Sequence, residues 1–246
     1  MTLLENNDQD TEGRKSSFNY DLKTSHINRI IYFSFLIQFL FNLILIFSIE
    51  FGNQHHYGLK KFYFDLEESV PTYFSSIILL FSSLLLVLIS SIKYKIMDSF
   101  SDHWMIISVL FLVLSVDEIA GFHEVLIDPL NNLFHFTGFW RFSWVIPALI
   151  FVLIFTASYL KFLNSLPLKY KRGFIMAGCI YVIGAIGIEM VSAKLFINDK
   201  ASEVDLIYNL TITLEESFEM LGVMIFVSYL ISYIKSMNYV LNISLK

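Results

Sequence analysis

Basic residues are few and scattered. The chain carries 17 Lys and Arg against 22 Asp and Glu, a formal net charge of −5, and no long basic run. It therefore lacks the positive footprint that nucleic-acid binding needs. Its single cysteine, Cys179, excludes an intrachain disulfide and is a poor basis for a thiolate metal site. Lying in an apolar stretch, it reads as a small buried residue. Walker loops, Gly-x-Ser-x-Gly and His-Glu-x-x-His are all missing, so no nucleotide cofactor is expected and no familiar signature announces a mechanism. Charged residues make up 16% of the chain, where a soluble domain carries about 25%.

Hydrocarbon takes their place. Apolar residues make up 56% of the chain, and the mean hydropathy is +0.63. A membrane-spanning helix needs about 20 mostly apolar residues. Six windows qualify, at about 30–49, 70–92, 104–126, 142–162, 174–196 and 207–234. The expected fold is all-α, an integral membrane bundle of six transmembrane helices spanning 29–235. The spans leave no room for a separate soluble domain of ordinary size, about 100 residues. Residues 1–28 are polar and lack the basic start and apolar core of a secretory signal, so they are expected to form a disordered tail. Residues 236–246 form a second tail.

Short-loop Lys and Arg set the expected orientation. Counted by alternating loops, twelve fall on one side and five on the other. This places both termini in the cytoplasm of a multi-pass membrane protein, with the lipid bilayer as its environment. Trp104 is expected at the inner interface, and Phe134, His135, Phe136, Phe139, Trp140 and Trp144 at the outer one, with a short interfacial segment over 131–139.

Within these spans lie eight ionisable groups: Asp117, Glu118, His123 and Glu124 in the third, Glu189 in the fifth, and Glu215, Glu216 and Glu219 in the sixth. On insertion scales an Asp at a helix centre costs about 2.5–3.5 kcal/mol. Such groups face one another, a cation or water, and they mark a functional site. With alternating spans, all eight share one layer in the outer half of the membrane. At 100° per residue Asp117 and Glu124 fall on one face with Gly121 between them, and Glu118 and His123 flank that stripe. Tyr208, Thr211, Glu215, Glu219 and Gly222 form a polar stripe. Gly178, Ala185, Glu189 and Ser192 form a small-residue stripe of the kind that supports close helix contact. Helices three, five and six are expected to enclose one polar chamber, with Ser192, Tyr208 and Thr211 supporting it.

Carboxylates with one imidazole suit iron, manganese, zinc or calcium. The leading expectation is a metal site built from the eight groups, iron, zinc or manganese first, doing hydrolytic or oxidative chemistry on a lipid-like or small substrate. Di-iron bundles pair Glu with Glu-x-x-His, a motif this chain lacks. The alternatives are a proton- or cation-coupled transporter or channel using the same acids, and a structural subunit whose acids pair with Lys194, Tyr208, Thr211 and backbone. Pro71, Pro147 and Gly184/Gly187 are candidate bends. His55 and His56 are expected in a solvated outer loop, His135 at the outer rim, and Glu50, Asp65, Glu67 and Glu68 simply exposed.

Asp117-Glu118 followed by His123-Glu124, then Glu215-Glu216 and Glu219-Met220 before Gly222, resembles an uncharacterised family of bacterial multi-pass membrane proteins. The resemblance covers about half the chain. It implies a bacterial cytoplasmic membrane location and carries no activity.

Overall fold

The computed structural model describes residues 24–52, 57–196 and 206–237. Of the two polar tails, residues 1–23 and 238–246 lie outside the described residues, as do His55 and His56, while 24–28, expected in the N-terminal tail, already belong to the first helix. Every regular element among the described residues is helical. Six helices are long and apolar enough to cross a membrane, which makes this a multi-pass membrane protein. They are α1 (Thr24–Glu50), α2 (Val70–Lys95), α3 (Ser101–Ala120), α5 (Val145–Ser165), α6 (Leu168–Leu195) and α7 (Leu206–Ser236), with a short α4 (Ile127–Phe134) between α3 and α5.

Backbone polar groups in hydrocarbon must be satisfied within the segment, so each apolar run becomes a helix. α2 starts on a Ser69 cap, whose side chain accepts from the Thr72 backbone N–H, with Pro71 in the first turn. α3 stops at Ala120 because Gly121 turns left-handed (φ +58°). The expected span ran on to about residue 126. Past the turn, His123 and Glu124 sit on a short loop and 3-10 segment, not on the helix. A π-helical turn, Ile183–Ile188, interrupts α6.

α2 and α3 form an antiparallel hairpin locked by serines. Ser76 pairs with Ser115 and Ser83 with Ser108, each hydroxyl donating to the other residue's backbone carbonyl at 2.8–3.0 Å. Ser90 donates to the Ser101 carbonyl at 2.9 Å. The rows repeat every seven residues, and small side chains let the two backbones approach.

α7 is the central helix, packed on α1, α2 and α6. Met224, Val227 and Leu230 are fully buried. α6 and α7 touch through glycines. A Cβ on Gly222 would stand 2.8 Å from the Tyr181 backbone nitrogen, and one on Gly184 would stand 2.9 Å from the Glu215 carbonyl oxygen. This contact face differs from the expected stripe, since Gly178 has nothing near its Cβ position. The π turn holds an extra residue, so a constant 100° projection loses register there.

Aromatic rings close the end of the bundle opposite the acids. Trp104 stacks on Tyr233 at 5.2 Å and meets Phe162 edge-on at 4.9 Å. Expected at an interface, it is instead only 1% exposed, because its face of α3 turns inward to α5, α6 and α7. At this end α5 meets α3 through Tyr159 and Phe162. At the acidic end Phe134, Phe139 and Trp140 are exposed.

Candidate functional site

A cavity of about 730 Å³ lies between α3, α5, α6 and α7, with α2 and the segment before it closing one side. All eight groups singled out in the sequence line it, as does Tyr208. Thr211 does not; its hydroxyl donates to the Ile207 carbonyl at 2.8 Å. Lys194 does not line it either; its ammonium sits 4.5 Å from the centre of the Phe139 ring.

The turn at Gly121 decides the geometry on α3. Asp117, Glu118, His123 and Glu124 all line the cavity, whereas a continuous helix would turn some of them away. His123 folds back on the end of the helix. Its Nδ1 lies 2.8 Å from Asp117 Oδ2, and its backbone N–H donates to Asp117 Oδ1 at 3.0 Å. A carboxylate held on Nδ1 sets the tautomer and orientation of the ring, the arrangement found behind metal-bound and general-base histidines. The ring also tilts against Trp144, centroids 4.6 Å apart.

Trp144, expected in an interfacial belt, instead donates its indole N–H to Glu189 Oε1 at 2.9 Å. The Ser192 hydroxyl donates to Glu215 Oε2 at 2.5 Å. The carboxyls of Glu189 and Glu215 lie against each other across the α6–α7 contact. Glu219 lies against Tyr181, and Glu118 against Ser75. Gly184 lets the Glu215–Glu219 turn press against the π turn of α6; π turns gather at functional sites.

Asp65 and Glu67 are exposed, as the sequence predicts, but they also line the cavity, and Cys179, expected to be buried, is exposed and lines it too. Glu67 reaches across to Glu124, and its carboxyl would touch any Cβ placed on Gly121. Asp65 is solvent-exposed, but protein atoms crowd its carboxyl within the cavity lining. Burial first, then the charges of Glu124 and Glu189, push its carboxyl up to about 7. Burial and the neighbouring Glu67 also raise Glu124, against the pull of His123. For His123, burial alone would lower the pKa, but the Asp117 hydrogen bond and the charges of Asp117, Glu124 and Glu189 outweigh it and raise the net value. The only sequence signal for Asp65 and Glu67 was an acidic run ahead of α2; their place depends on how the preceding segment folds back. Tyr63 anchors that segment, donating to Asn209 Oδ1 at 2.6 Å, and so does the Phe64 backbone N–H, donating to Asn42 Oδ1 at 3.2 Å.

The lining donors are carboxylate oxygens and one imidazole, a set that suits hard or borderline divalent cations. Among the described residues, no three of these groups stand close enough together to hold one ion as they are placed. Below the acids the wall turns apolar, through Phe111, Phe155 and Phe174 down to Trp104 and Phe162. His135 lies outside the lining, exposed at the left-handed C-cap of α4.

Fold and cavity together define a multi-pass helical membrane protein with a carboxylate-rich cavity. The model of the family described as "Domain of unknown function (DUF8692)" matches residues 35–233, and the chain belongs to that family. No curated protein and no solved structure matches it.

Proposed function

We propose that the cavity is a divalent-metal site for hydrolytic or oxidative chemistry on a lipid-like substrate. The observation that carries this reading is the Asp117–His123 pair, which holds an imidazole by its Nδ1 at the edge of a carboxylate-lined cavity. His123 Nε2 with Glu118, Glu124, Glu189, Glu215 and Glu219 supplies the donors. Bound there, a metal such as iron, zinc or manganese would contribute Lewis acidity or redox capacity. The chain's own residues do the rest. Asp117 orients His123, the Trp144 indole and the Ser192 hydroxyl hold Glu189 and Glu215, and the apolar wall below keeps water from the reacting centre. The excess of Lys and Arg in alternate loops puts both termini in the cytoplasm and the acids in the outer half of the membrane.

Elemental analysis of the purified protein beside a Glu189→Gln/Glu219→Gln variant tests the metal. Stoichiometric metal that disappears in the variant is expected; no metal in either sample after reconstitution would overturn the reading. For the orientation, cysteines introduced near Tyr57 and near Tyr170, in a Cys179→Ala background, should be labelled from opposite sides.

One observation favours a second reading. Glu67 lies against Glu124 and Glu189 against Glu215, two facing carboxyl pairs. With Glu118 and Glu219 beyond them, they offer a route for protons or cations. Metal-free protein that drives acid-dependent flux in liposomes would favour this reading.

A further inference from the structure

We infer that the cavity binds a single-chain amphiphile with a cationic head, its hydrocarbon tail in the apolar half and its head among the carboxyls. This deepens the reading above by naming the substrate class, and it stands on the cavity wall, not on the metal.

The shape points to one tail. Glu118 and Trp104 both line the cavity on α3, fourteen residues apart, so the wall runs about 21 Å along the helix. One leaflet of hydrocarbon is about 15 Å deep, half the bilayer core. The cavity is therefore deep enough for an extended chain that enters beside the acids and stops at Trp104 and Phe162. Its volume of about 730 Å³ is that of a site for one small molecule, a class of about 300–1,000 Å³. Phe111, Phe155 and Phe174 supply flat apolar walls. Gly178 lines the same part of the cavity and has nothing within 4 Å of its Cβ position, so the space there belongs to no side chain of the protein.

The head is set by charge. Nine carboxyl side chains and one imidazole line the cavity, with no Lys or Arg among the lining residues. One or two divalent ions would leave most of that charge unmet. Glu216 lies within this wall, enclosed by its neighbours and with no hydrogen-bond partner among the described residues. Its carboxyl is free to meet an ammonium group. A zwitterionic or anionic head would bring negative charge against the remaining acids.

The test measures binding of linear alkylamines of increasing length, with the matching alcohols, to the full chain in lipid nanodiscs. Each added methylene should tighten binding about fourfold until the chain fills the cavity and the gain stops. Gly178→Leu should bring that stop to a shorter chain without changing metal content. Glu216→Gln should weaken the amines while leaving the alcohols unchanged. Affinity that ignores chain length, or a stop that is the same in Gly178→Leu, would overturn the tail assignment. Alcohols binding as tightly as amines would overturn the head assignment. Chain-length-dependent binding to protein that holds no metal would defeat the metal reading alone. Stoichiometric metal without amphiphile binding would defeat this inference alone.

Discussion

His123 Nδ1 and Asp117 Oδ2 are 2.8 Å apart across the turn at Gly121. The contact ties the loop after α3 to the end of the helix and holds an imidazole at the cavity. Because the folded pKa of His123 is raised above 6.5, its contribution to stability is fully present below that value. It is lost as pH climbs through the raised midpoint. Asp117→Asn removes the principal cause of the rise. Nitrogen-edited NMR of the histidines should show the His123 midpoint falling in this variant; an unchanged midpoint would mean the pair does not control the ring.

Asp65 has the same sign at lower pH, for a different reason. Its carboxyl titrates near 7 in the folded chain against an ordinary 3.8, so the folded state holds a proton that the unfolded state has released. Stability should decline as pH rises from 3.8 through about 7 and then level off. Asp65→Asn should flatten this decline, read as unfolding temperature against pH. A wild-type profile that rises across the same window would contradict the raised Asp65 midpoint.

The α6–α7 contact predicts an asymmetry between glycines. In Gly222→Ala the new methyl would stand 2.8 Å from the Tyr181 backbone nitrogen and 2.9 Å from the Ala177 carbonyl oxygen. Backbone cannot rotate out of the way, so the helices must part, a cost of about 1–3 kcal/mol. Gly178→Ala meets open space and should be neutral or slightly stabilising. Unfolding in detergent compares the two; equal effects would argue against this packing.

The serine ladder predicts a graded loss. Ser83→Ala removes one hydroxyl from the Ser83–Ser108 pair and should cost about 0.6 kcal/mol, the average for an interhelical hydrogen bond in a membrane. Ser83→Leu pushes a branched side chain between two close backbones and should cost about 1–3 kcal/mol.

Spans and chamber membership were legible because both are local or nearly so. An apolar run of sufficient length satisfies its own backbone only as a helix, and an acid inside such a run must turn from lipid. Alternating directions then put Asp117, Glu189 and Glu219 in one layer. Individual facing was not legible. In α3 the 100° projection held up to Gly121, past which His123 and Glu124 leave the helix. In α6 the contact face runs through Ala177, Tyr181 and Gly184 and not through Gly178, because the π turn at Ile183–Ile188 offsets the residues on its two sides. The serines that recur every seven residues, Ser76, Ser83 and Ser90 facing Ser115, Ser108 and Ser101, carry a helix-contact signal in the sequence itself.

By itself the sequence determined a six-helix membrane protein with an acidic layer, since hydrophobic length and the cost of burying charge act segment by segment. Only the tertiary structure decided which groups meet. Asp65 and Glu67 come to the cavity because Asn42 and Asn209 hold the preceding segment. Trp144 reaches Glu189, and α5 stands off far enough to leave the cavity. These are pairings between residues remote along the chain, and they arise from packing that no local pattern encodes.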